Sequence, residues 1–387
     1  MPKDISILTF RAAARYFAPL VLFYLGGCET FGYYSQAIRG QLAVTFARQP
    51  VSQLLTDPAT PETLKQRLQL TQMLLQHIER ELGLPVKGRY QTYVALDQEA
   101  VLFSLVATPR FSVTPNQWCY PIVGCAPYRG YFKHRTALAA AARYRKRGFT
   151  TYLGAVPAYS TLGWFKDPLL SSFVDWSEAE LMALLSHELA HSKVWVDSDV
   201  GFNEAFATFV GNQSARNWLG GRDPAALRVY VENGAAWQQL VSMQLDLKAQ
   251  LSALYARTLS DEEKERESAA LYQAMGDCYR FQRAQLGAGR FDDYMSRLND
   301  AALAALATYR DDVPAFAAIY RREQQDWQRF FQAVEALGKL PKEERQEIVA
   351  QLRDLGEQQI AQSADDQRAE QIQCQAFSNH GVDRHVP

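Results

Sequence analysis

Apolar side chains in this chain recur mainly at the three- and four-residue spacing that buries one face of a helix. The first long stretch runs from Pro61 to Leu82 and ends at Gly83 and Pro85, which is typical of an amphipathic helix with a proline at its start. After residue 222 the helical pattern is almost continuous. It predicts helices over residues 225–259, 261–286, 290–309, 313–337 and 342–355.

Shorter stretches between these helical regions have the composition of strands. Residues 90–96 and 100–107 are rich in Val, Tyr, Phe and Leu, and the polar residues 97–99 between them predict a hairpin. A helix is predicted over residues 136–147 and a third strand over residues 150–156. The sequence therefore predicts an α+β fold, with a small mixed sheet followed by a mostly helical domain.

Composition and turn residues divide the chain into segments. We expect a leader over residues 1–28, a tether or wrapping segment over 29–60, an α/β part over 61–222, a helical domain that closes a cleft over 223–357, and a mobile tail over 358–387. With 387 residues, 48 % of them hydrophobic, the chain can bury a substantial core. Its 41 basic and 42 acidic side chains are mixed along the length, which predicts no nucleic-acid partner.

The pattern with the clearest chemistry is His187-Glu188-Leu189-Ala190-His191. Positions four apart share one face of a helix, so His187 and His191 can direct two imidazoles at one metal ion while Glu188 points into the adjoining cleft. Ser177 and Glu180 fit a capping box at the start of this helix. The sequence therefore predicts a helix that carries two metal ligands and a general base.

A third ligand is expected from Glu204, thirteen positions after His191 (204 − 191). A catalytic zinc takes three protein ligands and leaves its fourth position to water, and this separation allows a turn and a second helix. The alternative is that two histidines and a glutamate meet by accident on a solvated face. The chain has only 6 histidines, which makes that accident uncommon.

Together these segments resemble the gluzincin metallopeptidases, in which H-E-x-x-H and a downstream Asn-Glu supply the zinc ligands. Here the second segment reads Gly201-Phe202-Asn203-Glu204-Ala205-Phe206-Ala207. Over residues 25 to 345 the chain is also similar to a family of bacterial lipoproteins described as zinc aminopeptidases. The shared segments lie at residues 32–37, 128–132 and 158–165.

This resemblance implies roles for residues around the ligands. Asn203 and Thr208 flank Glu204 where related enzymes carry groups that orient the histidines, although those enzymes have an acid in place of Thr208. Asp197 or Asp199 could substitute for that acid.

The resemblance also implies substrate contacts. Residues that follow the third predicted strand would bind a peptide by strand addition, with the alternative that they only form a structural loop. They are Ala158, Tyr159, Ser160 and Thr161. Tyr309 is the candidate for donating a hydrogen bond to the developing oxyanion, against the alternative of a buried tyrosine at a helix end.

The leader combines basic residues with a short apolar run from Phe17 to Leu25. It ends in Leu25-Gly26-Gly27-Cys28, which resembles the bacterial lipobox, where the cysteine is lipidated. The resemblance implies a lipid anchor on Cys28 and a place in the bacterial cell envelope, at the outer membrane facing the periplasm. An ordinary signal peptide or an uncleaved anchor helix is the alternative.

Four further cysteines suit an oxidising compartment. Pro121 and Gly124 lie between Cys119 and Cys125 and could turn the chain back, which makes this pair a possible disulfide.

The sequence thus predicts a metallopeptidase with one Zn²⁺ and a peptide substrate, and family likeness favours an aminopeptidase. An envelope endopeptidase is the first alternative. The second is a non-catalytic, membrane-tethered binding protein with structural zinc, which would require a fourth protein ligand.

Overall fold

The computed structural model describes residues 32–120, 124–158, 166–197, 199–306 and 312–365 of the chain. Helices predominate, and small sheets lie in the first half, so the α+β prediction is confirmed. The helices are α1 (32–46), α2 (Val51–Thr56), α3 (Glu62–His77, continued by a π-helical turn, Ile78–Leu82), α4 (His134–Lys146), α5 (Glu178–Ala190), α6 (Val200–Gly220), α7 (Pro224–Ala256), α8 (Asp261–Phe281), α9 (Asp292–Ser296), α10 (Asp300–Ala305), α11 (Val313–Arg322), α12 (Trp327–Gly338) and α13 (Lys342–Asp365). The strands are β1 (Gln49–Pro50), β2 (Thr92–Val94), β3 (Leu102–Thr108), β4 (Trp118–Tyr120), β5 (Gly124–Ala126), β6 (Arg129–Tyr131), β7 (Thr150–Val156) and β8 (Leu169–Leu170).

The strands of the described residues form three small sheets. In the largest pairing, β3 runs antiparallel to β7 from Leu102 opposite Val156 to Thr108 opposite Thr150, and β6 pairs with the other edge of β3. β2 lies between β1 and β8 in a second sheet. β4 and β5 pair antiparallel, with Cys119 opposite Cys125, and a disulfide joins these two cysteines.

The predicted hairpin between residues 90–96 and 100–107 is wrong, because β2 and β3 lie in different sheets. Hydrogen bonds to other parts of the chain keep the residues between β2 and β3 from forming a tight turn. The Leu96 N–H donates to the Ser171 hydroxyl, and the Gln98 amide donates to Phe132 O. Alternation locates strands, but partners distant in sequence decide which strands pair.

The main core surrounds α5 and α6, which pack along each other. Both helices bury more than one face. Leu181, Leu185 and Leu189 of α5 are fully buried, as is Phe206 of α6. The C-terminal helices α11 and α12 complete this core with rings such as Phe316 and Phe330, which contact Phe206. The helices of the predicted metal motif therefore lie in the largest core formed by the described residues.

A second core joins α7, α8 and the short α10. At its edge the Asp300 carboxylate accepts hydrogen bonds from two tyrosine hydroxyls, Tyr255 at 3.1 Å and Tyr272 at 2.6 Å. The three side chains come from three different helices, so this cluster ties the long helices to α10.

Several predicted helices of the C-terminal half have different bounds in the structure. The stretch 290–309 contains two short helices, and Asn299 caps the second of them by accepting from the Ala302 N–H. The stretch 313–337 is broken at Gln324 and Gln325, whose φ angles of 59° and 60° are left-handed. α13 continues to Asp365, past the predicted start of the tail at residue 358. In the described part of the chain, no helix is both long and apolar enough to cross a membrane.

Candidate metal centre

The helix that carries the H-E-x-x-H motif begins as its sequence predicts. The Ser177 hydroxyl accepts from the Glu180 N–H at 3.3 Å, and the Glu180 carboxylate accepts from the Ser177 N–H at 3.1 Å, which completes the capping box. α5 ends at Ala190, but His191 keeps helical dihedrals, with φ −56° and ψ −24°. The four-residue spacing therefore holds across the end of the helix, and both imidazoles lie on one side of it.

The structure brings His187, His191 and Glu204 together, with one candidate ligand atom of each within 4.8 Å of the others. The two Nε2 atoms are 3.2 Å apart. Glu204 presents Oε2 at 3.5 Å from His187 Nε2 and Oε1 at 3.7 Å from His191 Nε2. Ligand atoms around a tetrahedral zinc, at ~2.0–2.1 Å from the ion, lie roughly 3.3–3.4 Å apart. The spacing and the nitrogen and oxygen donors therefore fit a zinc-sized cation.

The protonation of the cluster also suits a cation. Burial lowers the pKa of His191 to about 4. The adjacent His187 acts in the same direction, and the charge of Glu204 opposes the shift. Burial acts to raise the pKa of Glu204, but the hydrogen bond from His187 and the nearby imidazoles lower it on balance. At neutral pH the His191 ring is neutral and the Glu204 carboxylate is ionised, which are the forms that bind metals.

Glu204 is positioned by the connection between α5 and α6. Asp199 caps α6 by accepting from the Phe202 N–H at 3.3 Å. The fully buried Asn203 amide accepts from Val196 N–H at 2.9 Å and donates to Val196 O at 2.8 Å. Asn203, expected to orient a histidine, thus holds the backbone of the connection that sets the direction of α6.

Gly211 lets α5 and α6 approach closely beside the metal cluster. A Cβ atom at this position would lie 2.5 Å from the Ala183 carbonyl oxygen and 3.3 Å from the His187 Cβ. Any larger side chain would force the two helices apart next to His187. Gly211 was not found from the sequence, because a glycine inside a helix shows its packing partner only in three dimensions.

His187 and the predicted base Glu188 line a groove of about 290 Å³ between α5 and α6. Thr208, predicted to orient a histidine, also lines this groove. Glu180, Asn212 and Tyr230 are shared with a larger cavity of about 900 Å³, which extends to α7 and Phe291. Since the two share lining residues, they lie next to each other along α5, and the smaller one borders His187.

Two tyrosines were not predicted as site residues: Tyr230 lines both cavities, and Tyr90 interacts electrostatically with Glu188. The Tyr230 hydroxyl donates to the Asn212 side chain at 2.9 Å, and burial raises the pKa of Tyr230 to about 12. Tyr90 is buried in a left-handed conformation with φ 59°. Burial is the main cause that raises the pKa of Tyr90 well above its ordinary value, and the negative charge of Glu188 adds to this shift. Both hydroxyls therefore stay protonated and can donate hydrogen bonds.

The remaining predicted site residues have varied positions. Asp199 binds Arg345 and caps α6, so it does not take the expected place beside His187, and Asp197 is exposed. Ala158 is half-buried against the main core. Four other site residues lie outside the described residues: Tyr159, Ser160, Thr161 and Tyr309. Cys28 lies outside them as well.

Neither the curated proteins nor the solved structures compared with this chain include a match. The model of the family described as "Putative aminopeptidase" matches residues 32–349, well over half of the chain, and the protein therefore belongs to that aminopeptidase family.

Proposed function

We propose that the protein is a zinc-dependent metallopeptidase that acts as an aminopeptidase. The observation that carries the proposal is the convergence of His187, His191 and Glu204 within 4.8 Å, on the H-E-x-x-H helix and its neighbour. Family membership supports peptide hydrolysis independently of this geometry. The gluzincin likeness of the two segments is the reason for proposing zinc.

In this proposal the two imidazoles and the Glu204 carboxylate hold the ion. Bound zinc supplies a Lewis acid that polarises a carbonyl group and brings the pKa of a water molecule toward ~7. Glu188 follows His187 on the same helix and lines the same groove. Its carboxylate accepts the proton of the attacking water and passes it to the nitrogen of the leaving amine, as a general base and then a general acid.

The proposal that Glu188 is the base is tested with Glu188→Gln, which keeps size and removes basicity. We expect peptide hydrolysis to fall by roughly 10²–10⁴-fold, the contribution typical of a positioned acid–base group. Zinc content, measured on the same samples, should be unchanged. Glu335→Gln makes the same chemical change in a half-buried glutamate of α12 and should retain wild-type rates. Equal rates in Glu188→Gln and wild type would exclude the role.

An endopeptidase is the second candidate, and the two neighbouring cavities beside α5 favour it. From His187 back to Ser177 the helix rises about 15 Å, at ~1.5 Å per residue. An extended peptide covers that length with about four or five residues, at ~3.3 Å each. A peptide that spans both cavities would place several residues beyond the cleaved bond.

The two candidates differ in their need for a free amine. Matched peptides with and without an N-terminal acetyl group distinguish them. An aminopeptidase loses cleavage on acetylation, whereas an endopeptidase cleaves both peptides. The structural-zinc alternative needs a fourth protein ligand. The cluster found among the described residues offers three.

We further propose that the chain is a cell-envelope protein held at the membrane by a lipid on Cys28. The support is the sequence Leu25-Gly26-Gly27-Cys28 after an apolar run. Metabolic labelling with a clickable fatty acid should label wild type and leave Cys28→Ser unlabelled. Label in both proteins would contradict the anchor.

A further inference from the structure

α1 exposes a row of large apolar side chains. Ile38, Leu42 and Phe46 are spaced four residues apart and expose 59 %, 46 % and 81 % of their surfaces. At this spacing they lie on one side of the helix. Val44, on another side, is only 6 % exposed. We call Ile38, Leu42 and Phe46 the outer stripe.

The direction of the outer stripe is fixed because α1 is docked on the sheet through its opposite side. The Gln36 amide donates to Gly130 O and accepts from the Phe132 N–H, both at 3.2 Å. A Cβ atom at Gly40 would lie 2.0 Å from the Phe132 ring, so this position closely abuts the ring. Rotation of α1 to bury the outer stripe would break these contacts.

The charges of α1 suit an anionic surface. No aspartate or glutamate occurs between residues 32 and 46, and Arg39, next to Ile38, is exposed. An apolar helix face beside a basic residue is the arrangement by which helices rest in the interfacial region of anionic bilayers.

The position of α1 along the chain points to the same partner. Cys28, the residue proposed to carry the lipid, lies four positions before residue 32 (32 − 28). A fully extended chain reaches at most ~3.3–3.6 Å per residue, so a lipid on Cys28 would keep the start of α1 within about 15 Å of the bilayer.

We propose that the outer stripe rests on a lipid surface that contains anionic headgroups, with Arg39 beside it. This contact is additional to any lipid on Cys28 and does not depend on the proposed peptidase activity. It would fix the orientation of the folded part on the membrane, because α1 is docked on the sheet through Gln36 and Gly40.

The test uses Phe46→Trp in the full chain, reconstituted in vesicles of phosphatidylglycerol and dibrominated phosphatidylcholine. Phe281→Trp is the matched control, since Phe281 is also an exposed phenylalanine, at 72 %, on a different helix. The emission of wild type, which comes from its 7 tryptophans, is subtracted from the emission of each variant. We expect the added emission of Phe46→Trp to be blue-shifted and quenched by the brominated lipid, and that of Phe281→Trp to be unaffected.

Other occupants of the stripe give different results. If residues 17–25 cover it, the Phe46→Trp emission is blue-shifted in detergent and in vesicles, without bromine quenching. If a second copy of the chain covers the stripe, light scattering detects a dimer. The triple variant Ile38→Glu/Leu42→Glu/Phe46→Glu is then a monomer. The equally charged variant Leu138→Glu/Phe281→Glu/Leu355→Glu, at other exposed apolar positions, leaves that dimer intact. Either result overturns the lipid contact, as does equal quenching of the two tryptophan variants.

The headgroup preference is tested separately. Replacing phosphatidylglycerol by neutral lipid, or adding Arg39→Glu to Phe46→Trp, should reduce the quenching. Unchanged quenching under both conditions would overturn the anionic part of the proposal.

Discussion

Arg345 of α13 donates from Nε and Nη2 to one carboxylate oxygen of Asp199, at 3.1 and 2.8 Å. Both side chains are 5 % exposed. The other Asp199 oxygen caps α6 at the Phe202 N–H. Arg345 also donates to the backbone oxygen of Leu340 at 2.8 Å. The C-terminal helix is thereby bonded to the start of the helix that carries Glu204.

We predict that Arg345→Met lowers the free energy of unfolding by about 3–5 kcal/mol, because it leaves the buried Asp199 charge without its partner. It should also weaken zinc binding, since the start of α6 loses its anchor. Urea unfolding and isothermal titration with zinc measure the two effects.

Arg353→Met is the control for Arg345→Met. It removes an arginine of the same helix from a pair with Asp312, at 3.1 Å, in which the arginine side chain is 35 % exposed and the carboxylate 10 %. We expect a smaller loss of stability than for Arg345→Met, because this pair is less completely buried, and we expect unchanged zinc affinity. Combining Arg345→Met with Asp199→Asn should cost less than the sum of the single changes, because no buried charge remains. Additive losses would contradict the ion-pair explanation.

Gly211→Ala should weaken zinc binding, because its Cβ would lie 2.5 Å from Ala183 O and 3.3 Å from His187 Cβ. To accommodate the methyl group, α5 and α6 would have to move apart beside His187, one of the proposed metal ligands. Gly234→Ala, inside α7, meets no atom within 4 Å. This control should gain about 0.5–1 kcal/mol of stability from helix propensity, with unchanged zinc affinity. Wild-type zinc affinity in Gly211→Ala would show that the helices tolerate the methyl group.

The sequence predicted those features that depend on neighbours along the chain. The capping box of Ser177 and Glu180 is local, and so is the spacing of His187 and His191 on one helix. Arg345 is 146 positions from Asp199, and no periodicity relates the two. The hairpin error has the same cause, since β3 pairs with β6 and β7 through contacts that alternation cannot identify.

Asp300 gives a pH dependence away from the metal cluster. Burial raises the pKa of Asp300 above its ordinary 3.8, although hydrogen bonds from Tyr272 and Tyr255 oppose the shift. The folded state therefore holds this proton more tightly than the unfolded state does. The resulting stabilisation is full below pH 3.8 and is lost as pH rises through the raised pKa.

Asp300→Asn keeps an acceptor for a tyrosine hydroxyl and removes the titration. The difference in unfolding free energy, wild type minus Asp300→Asn, should therefore decrease as pH rises from about 4 toward neutrality. Urea unfolding across this range measures it. A difference that is constant or increases with pH would show that Asp300 does not bind its proton more tightly in the fold.

Removal of the metal should destabilise the protein, because an ion that binds only the folded state stabilises it by mass action. At zinc concentrations ~1,000-fold above Kd this amounts to about 4 kcal/mol. A chelator should lower the Tm of wild type, and zinc should restore it. Glu204→Gln should show little zinc-dependent change, since it loses the charged donor 3.5 and 3.7 Å from the two imidazoles. Glu335→Gln should respond as wild type does. If Glu204→Gln kept the full zinc-dependent rise in Tm, the carboxylate would not be a ligand, and the two histidines would have to bind the ion with another group.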